Sequence, residues 1–157
     1  MTGMSGRTAE GLPEVAVRTA ALSEILQLRH DLLRPGMPLE ASRQPQDLLP
    51  ETWHCAAFVE EVAVSCASVS RSDFEGKPAW RLRGMATDPE WQGRGCGALL
   101  LREVCRRVVE RGDDVLWCNA RTSALGFYEK CSFVTVGGEF VTELGIPHYV
   151  AVWRVQP

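Results

Sequence analysis

Nowhere does this sequence hold an apolar run near the roughly 20 residues that a bilayer-spanning helix needs. Residues 1–12 are polar and glycine-rich and lack the apolar core of a signal peptide, so they read as a flexible tail ahead of one domain over 13–157. A basic excess is missing too. The 17 Lys and Arg face 20 Asp and Glu, giving a formal net charge of −3. That balance argues against non-specific nucleic-acid binding and is compatible with a cationic amine as partner. There is no Cys-x-x-Cys pair. Cys55, Cys66, Cys96, Cys105, Cys118 and Cys131 sit mostly among apolar neighbours. They read as reduced thiols packed as small hydrophobes in a cytoplasmic protein, not as a disulfide framework. His30, His54 and His148 lack metal-ligand spacing, so no metal site is expected. No repeat or low-complexity tract divides the chain. The 45% of hydrophobic residues that is present suits one packed domain of 157 residues.

Along the chain, residues 15–18 alternate as a short strand. Residues 20–33 place Leu22, Ile25, Leu26, Leu32 and Leu33 on one side at helical spacing, with Thr19 as cap and Pro35-Gly36 as stop. Residues 34–53 carry Pro35, Pro38, Pro45 and Pro50 without any period. So long an irregular segment in a compact domain reads as a substrate-binding loop more than as a surface connection. Two β-prone runs, 54–60 and 62–70, turn at Glu60-Glu61 as a hairpin. In the strand 79–87, Gly84 marks a bulge or a close backbone approach. A helix over about 97–111 presents Leu100, Leu101, Val104, Cys105 and Val108, pairs Glu103 with Arg107, and stops at Gly112. A strand at 115–120, a short helix at 123–130 led by Thr122, and strands near 133–136, 139–143 and 149–155 complete the chain. This order predicts a mixed α/β sheet with helices on both faces.

The central signal is Gln92-Gly93-Arg94-Gly95-Cys96-Gly97-Ala98, set between a strand and a helix. Three glycines free the backbone of Cβ obstruction, so several N–H groups at a helix start can converge on one anion. A pyrophosphate is the natural ligand. Gly93-x-Gly95-x-x-Ala98 formally fits a dinucleotide fingerprint, yet it lies past the midpoint of the chain. Asp113 and Asp114 precede the next strand instead of ending it. Only 60 residues follow Gly97, too few for the remaining sheet at about 30 residues per βαβ unit. No Gly-Lys-Ser/Thr closes the turn as in a P-loop.

The arrangement resembles the GNAT N-acetyltransferase superfamily, whose CoA-binding motif is Gln/Arg-x-x-Gly-x-Gly/Ala. Gln92 to Gly97 match it, after a strand and turn running Met85-Ala86-Thr87-Asp88-Pro89-Glu90-Trp91. Downstream, Asn119 at a strand end and Phe127-Tyr128-Glu129-Lys130-Cys131-Ser132-Phe133 are similar to the family's FYEK-x-GF segment, with Ser132 where Gly is usual. The resemblance is clear over about residues 80–133. It implies a single-domain, mostly antiparallel sheet of six to seven strands flanked by about four helices. It further implies that the N–H groups of Gly93, Arg94, Gly95, Cys96, Gly97 and Ala98 cradle the diphosphate of acetyl-CoA. The edge of Met85, Ala86 and Thr87 would pair with the pantetheine arm like an added strand. Asn119 would bind that arm or orient a neighbour, and a homodimer is compatible with such a fold. Cys96 takes an aliphatic position of the motif and reads as packing, since no His partner is in view.

Acetyl transfer to an amine needs a neutral amine, a polarised carbonyl and a proton for the departing thiolate. Tyr128 is the candidate general acid; its other reading is a core tyrosine beside Phe127. The strand before the glycine turn offers no carboxylate as base, because Arg81, Leu82, Arg83 and Gly84 stand there. His148 and Glu139 are the candidates instead, with Glu40 and His54 behind them. Arg81 and Arg83 could meet an anionic group on the acceptor, but they read first as residues of a solvent face. The acceptor itself is left open as a primary amine of a small molecule or peptide. A non-catalytic acyl-CoA-binding module is the alternative.

Overall fold

A computed structural model describes residues 4–7 and 14–155. Eight strands form one sheet: β1 (Met4–Arg7), β2 (Glu14–Ala20), β3 (Trp53–Val59), β4 (Val62–Arg71), β5 (Trp80–Thr87), β6 (Val115–Arg121), β7 (Val134–Val141) and β8 (Pro147–Arg154). Their spatial order is β1-β2-β3-β4-β5-β6-β8-β7. Every neighbouring pair is antiparallel except β5 and β6. The additional strand, β1, falls within the segment read as a tail and lies antiparallel to β2; the rest of that segment lies outside the described residues. Three α-helices accompany the sheet: α1 (Leu22–Leu33), α2 (Cys96–Glu110) and α3 (Leu125–Lys130). The remaining helical turns, Leu39–Ser42, Pro45–Leu48, Pro89–Trp91 and Thr122–Ala124, are of the tighter 3₁₀ kind.

Strand alternation divides the core. Cys55, Ala57, Ala67 and Val69 lie in one cluster with Leu100, Leu101, Val104 and Val108 of α2. Ala56, Phe58, Cys66 and Ala86 cluster with Ile25 of α1. The two helices therefore cover opposite faces, which is why all seven residues of β3 are buried. The Glu60-Glu61 turn closes the β3–β4 hairpin with both residues at positive φ, 48° and 68°. Such a pair matches the twist of a two-residue hairpin loop.

Two local expectations fail. Thr19 does not cap α1; it belongs to β2, opposite Cys55. Sheet pairing takes it, and Glu24 caps from inside the helix by accepting the Ala21 N–H at 2.9 Å. The strands expected at 133–136 and 139–143 are one strand, β7, with an irregularity between Val136 and Phe140 where Gly137 and Gly138 sit.

At Gly84 the expected bulge is present. Cys66 opposes Ala86 while Ser68 opposes Arg83, so β5 spends one extra residue there. Gly84 has φ +58°, and a Cβ on it would come 2.9 Å from Arg29 Nε. Gly84→Ala is therefore expected to destabilise the fold by about 1–2 kcal/mol from the left-handed backbone alone, read as a lower midpoint in urea.

Candidate active site

The bulge lies on β5 just beyond the end of its pairing with β6. The two strands pair only at Trp80↔Leu116 and Arg81↔Trp117, although β5 continues to Thr87 and β6 to Arg121. Beyond that point a wedge opens in the sheet, and a cavity of about 490 Å³ lies there. Its wall is drawn from α1, the 34–53 loop, β5, β6, α3 and the β7–β8 hairpin. Asp88 N–H donates to Val64 O at 2.8 Å and Ala86 O accepts from Ser65 Oγ at 3.1 Å. Residues 86 and 88 thus face β4, and strand alternation turns the backbone groups of Met85 and Thr87 toward the wedge. The Thr87 carbonyl accepts from Gln92 Nε2 at 3.0 Å. Gln92 therefore closes the glycine turn from within.

Gly93 and Gly95 hold φ of +76° and +85°, which only glycine adopts freely. Gly95 is the N-cap of α2 and no side chain caps that end. The N–H groups of Cys96, Gly97 and Ala98 belong to the first turn of the helix, where no intrahelical acceptor exists. At Gly97 a Cβ would stand 3.2 Å from both the Phe127 ring and Thr87 Oγ1. Glycine there lets α2 begin tight against β5 and α3. Arg94 lies over the Trp91 ring at 4.9 Å. Cys96 is buried and burial raises its pKa, as a packing thiol requires.

Tyr128 lines the cavity from α3. Its ring meets Phe127 and Phe133 edge to face, at centroid distances of 5.2 and 5.4 Å. Burial drives its phenol well above the ordinary tyrosine value, and the neighbouring Cys118 thiol adds to the rise. Burial likewise pushes Cys118 up to about 12. Both groups keep their protons at neutral pH.

His148 and Asn119 also line the cavity. His148 stands opposite Arg121, and Asn119 opposite Val150. Cys118 and Ala120 join the α2 cluster, so Asn119 and Arg121 alternate to the other face, and His148 shares it as their cross-strand neighbour. His148 Nδ1 lies 2.8 Å from Ile146 O. A carbonyl can only accept, so Nδ1 carries the hydrogen and Nε2 of the neutral ring is the free base. The ring stacks on Phe140 at 5.9 Å.

The other candidate bases lie elsewhere. Glu139 is exposed on β7, outside the cavity wall, and its carboxylate accepts from Thr122 Oγ1 at 2.8 Å. Glu40 is exposed and bound to Arg43 at 3.0 Å. His54 is buried on β3, with Nδ1 2.6 Å from Ser68 Oγ, and it does not reach the cavity wall. Arg81 and Arg83, read from the sequence as solvent-facing, line the cavity.

Sequence reasoning missed the pair beneath this cavity. Arg29 donates to Asp47 Oδ2 and Ser42 O, both at 2.8 Å, and to Ser68 Oγ at 2.5 Å. Both side chains of the ion pair are almost wholly buried. The pair pins the 34–53 loop to α1 and β4, so that Ser42, Gln44 and Gln46 become wall. A signal existed: Arg29 sits on the apolar stripe of α1, among Ile25, Leu26, Leu32 and Leu33. Glu143, the one carboxylate among the described wall residues, was also passed over.

Residues 22–133 match the Acetyltransferase (GNAT) family, and the chain belongs to it. It is 28% identical over 141 residues to the uncharacterized N-acetyltransferase YitI of Bacillus subtilis strain 168, covering 88% of this chain and 94% of that protein. Among solved structures it is similar to Escherichia coli ElaA, with a TM-score of 0.75 and 16% identity over 89% of this chain and 99% of that one. An aminoglycoside 6'-N-acetyltransferase complexed with coenzyme A gives a TM-score of 0.68 and 14% identity, covering 90% and 97% of the two chains. Among the described residues no cluster of three or more His, Cys, Asp and Glu is gathered as a metal site. No described helix is long and apolar enough to cross a membrane.

Proposed function

We propose that this protein transfers an acetyl group from acetyl-CoA to a primary amine, by direct attack within a ternary complex. The observation that carries the reading is the wedge between β5 and β6, flanked by the uncapped start of α2 and by Tyr128 and His148. The free N–H groups of 96–98 suit a diphosphate, and the open edge at Met85 and Thr87 suits an extended amide-containing arm. A structural neighbour complexed with coenzyme A agrees with that choice of donor. When bound, acetyl-CoA supplies the thioester carbonyl that the amine attacks.

A free alkyl amine has a pKa near ~10.4 and is mostly protonated at neutral pH. His148 Nε2 removes that proton, directly or through one water. A backbone N–H of the Met85–Thr87 edge meets the charge that develops on the carbonyl oxygen. Tyr128 hands its phenolic proton to the departing sulfur, whose conjugate acid has a pKa of about 8.5 by analogy with cysteine. After attack the nitrogen gives up a second proton, which restores the phenol through solvent, while the proton held by His148 passes to solvent, so one proton is released for each ammonium acylated.

One observation favours a second reading, an acyl-CoA-binding module without turnover: no carboxylate lies on β5, and among the described residues the wall offers only Glu143. Calorimetry with acetyl-CoA, run beside a thiol-release screen of amines, polyamines, amino acids and peptides, separates the two. Acceptor-dependent release supports the transferase. Saturable binding with no release from any amine supports the module. Absence of binding at millimolar acetyl-CoA would overturn both.

A further inference from the structure

The chain is acidic as a whole, yet its cavity is not. Five guanidinium groups line the wall, from Arg29, Arg34, Arg81, Arg83 and Arg121, against the single carboxylate of Glu143. Arg29 is neutralised by Asp47. Among the described residues, Arg34, Arg81, Arg83 and Arg121 have no ion-pair partner within 4 Å. Arg81 is the sharpest case. Its guanidinium rests against the Trp117 ring at 4.9 Å, and its Nε is buried with no hydrogen-bond partner. Arg83, two residues along the same strand face, donates from Nε to Ser70 Oγ at 3.3 Å and leaves the rest of its fork unengaged by any carboxylate. Burial lowers the pKa of both, and the charge of Arg81 adds to the fall at Arg83, which drops to about 10. A buried, unpaired donor is costly, and a second cation beside it adds repulsion. An oxyanion relieves both, and the planar forks match a carboxylate bidentately.

These arginines do not belong to the diphosphate of the donor. Trp80 and Leu82 pack into the α2 cluster, so Arg81 and Arg83 alternate onto the opposite face, the one that carries Asn119, Arg121 and His148. We propose that the acceptor is a small amine that itself carries a carboxylate, gripped by Arg81 and Arg83 while its nitrogen is presented to His148. The proposal deepens the acetyltransfer reading and rests on it. A polyamine or an aminoglycoside would bring further positive charge into a wall that already has it in excess.

The test compares amino acids with their carboxamides and with the corresponding aminophosphonates, at saturating acetyl-CoA, by thiol release. Acids should exceed their amides in kcat/KM by about tenfold or more. Arg81→Gln and Arg83→Gln should raise KM for the acid by about tenfold or more, leave KM for acetyl-CoA within about twofold, and bring the acid-to-amide ratio toward one. Retained acetyl-CoA binding by calorimetry shows that each variant is folded. Preference for spermidine or an aminoglycoside overturns the proposal, as does an equal loss for acids and amides. A phosphonate preferred over its carboxylate counterpart overturns the carboxylate assignment. Should no amine be turned over although acetyl-CoA binds, the transfer reading fails separately. Calorimetry with N-acetyl amino acids then decides: binding that Arg81→Gln abolishes sustains the carboxylate site, and none refutes it.

Discussion

Tyr128→Phe is expected to lower kcat by about 100-fold or more, the range over which a positioned general acid contributes. The substitution keeps the ring, and the edge-to-face contacts with Phe127 and Phe133 are made by the ring alone. Thermal stability should therefore shift little, and KM for acetyl-CoA should stay within about twofold. Burial and Cys118 hold the phenol protonated far beyond neutrality. Loss of activity through its ionisation should consequently be absent from a pH–rate profile between about pH 6 and 9. Steady-state thiol release across that range checks both statements. An unchanged kcat in the variant would reduce Tyr128 to a packing residue and move the proton donor to solvent.

Asp47→Ala should cost stability on a scale no surface change here approaches. It leaves the Arg29 guanidinium buried without its countercharge, and removing one partner of such a pair costs about 3–5 kcal/mol. For a domain of this size that lowers the melting temperature by roughly 10 °C. Replacing both partners together, as Arg29→Met with Asp47→Leu, should recover much of the loss, because no unpaired charge then remains. Burial by itself raises the pKa of Asp47. Hydrogen bonds from Arg29 and from the Gln44 N–H, with the field of Arg29, outweigh it and hold the carboxyl below its ordinary value. A carboxyl lowered on folding stabilises fully above its unfolded pKa, and that contribution disappears as pH falls through the folded value. Melting curves taken from neutral pH downward should show this acid limb in the native chain and a flatter one in Asp47→Ala. A variant that melts like the native protein would show the 34–53 loop to be held by other contacts.

What the sequence made legible was local. The glycine turn, the Glu60-Glu61 hairpin and the Gly84 bulge each depend on backbone freedom at one or two positions, and each lies where expected. Features set by distant pairing were hidden. Arg81 and Arg83 looked solvent-facing because nothing within their own strand tells that β5 and β6 separate and leave that face lining a cavity. His148 and Glu139 were both candidates in the C-terminal strands, and only its titration range favoured His148. The β6–β8 register sets His148 opposite Arg121, whereas Glu139 falls at the irregular stretch of β7 and is engaged by Thr122. The net charge of −3 was no guide to the cavity, since a sum over the chain carries no information about where charges gather.

The short β5–β6 ladder has a mechanical meaning. Among the described residues, two residue pairs are all the backbone pairing that joins the portion ending at β5 to the portion made of β6, β8 and β7. Side chains carry the rest of the joint: Trp80, Leu116, Cys118 and Tyr128 share one cluster with α2, and Trp80 Nε1 donates to Asp113 Oδ2 at 2.8 Å while Trp117 Nε1 donates to Ser72 O at 2.9 Å. A seam glued by side chains can stand ajar without tearing the domain, where a fully laddered sheet would have no room for a guest between its own strands.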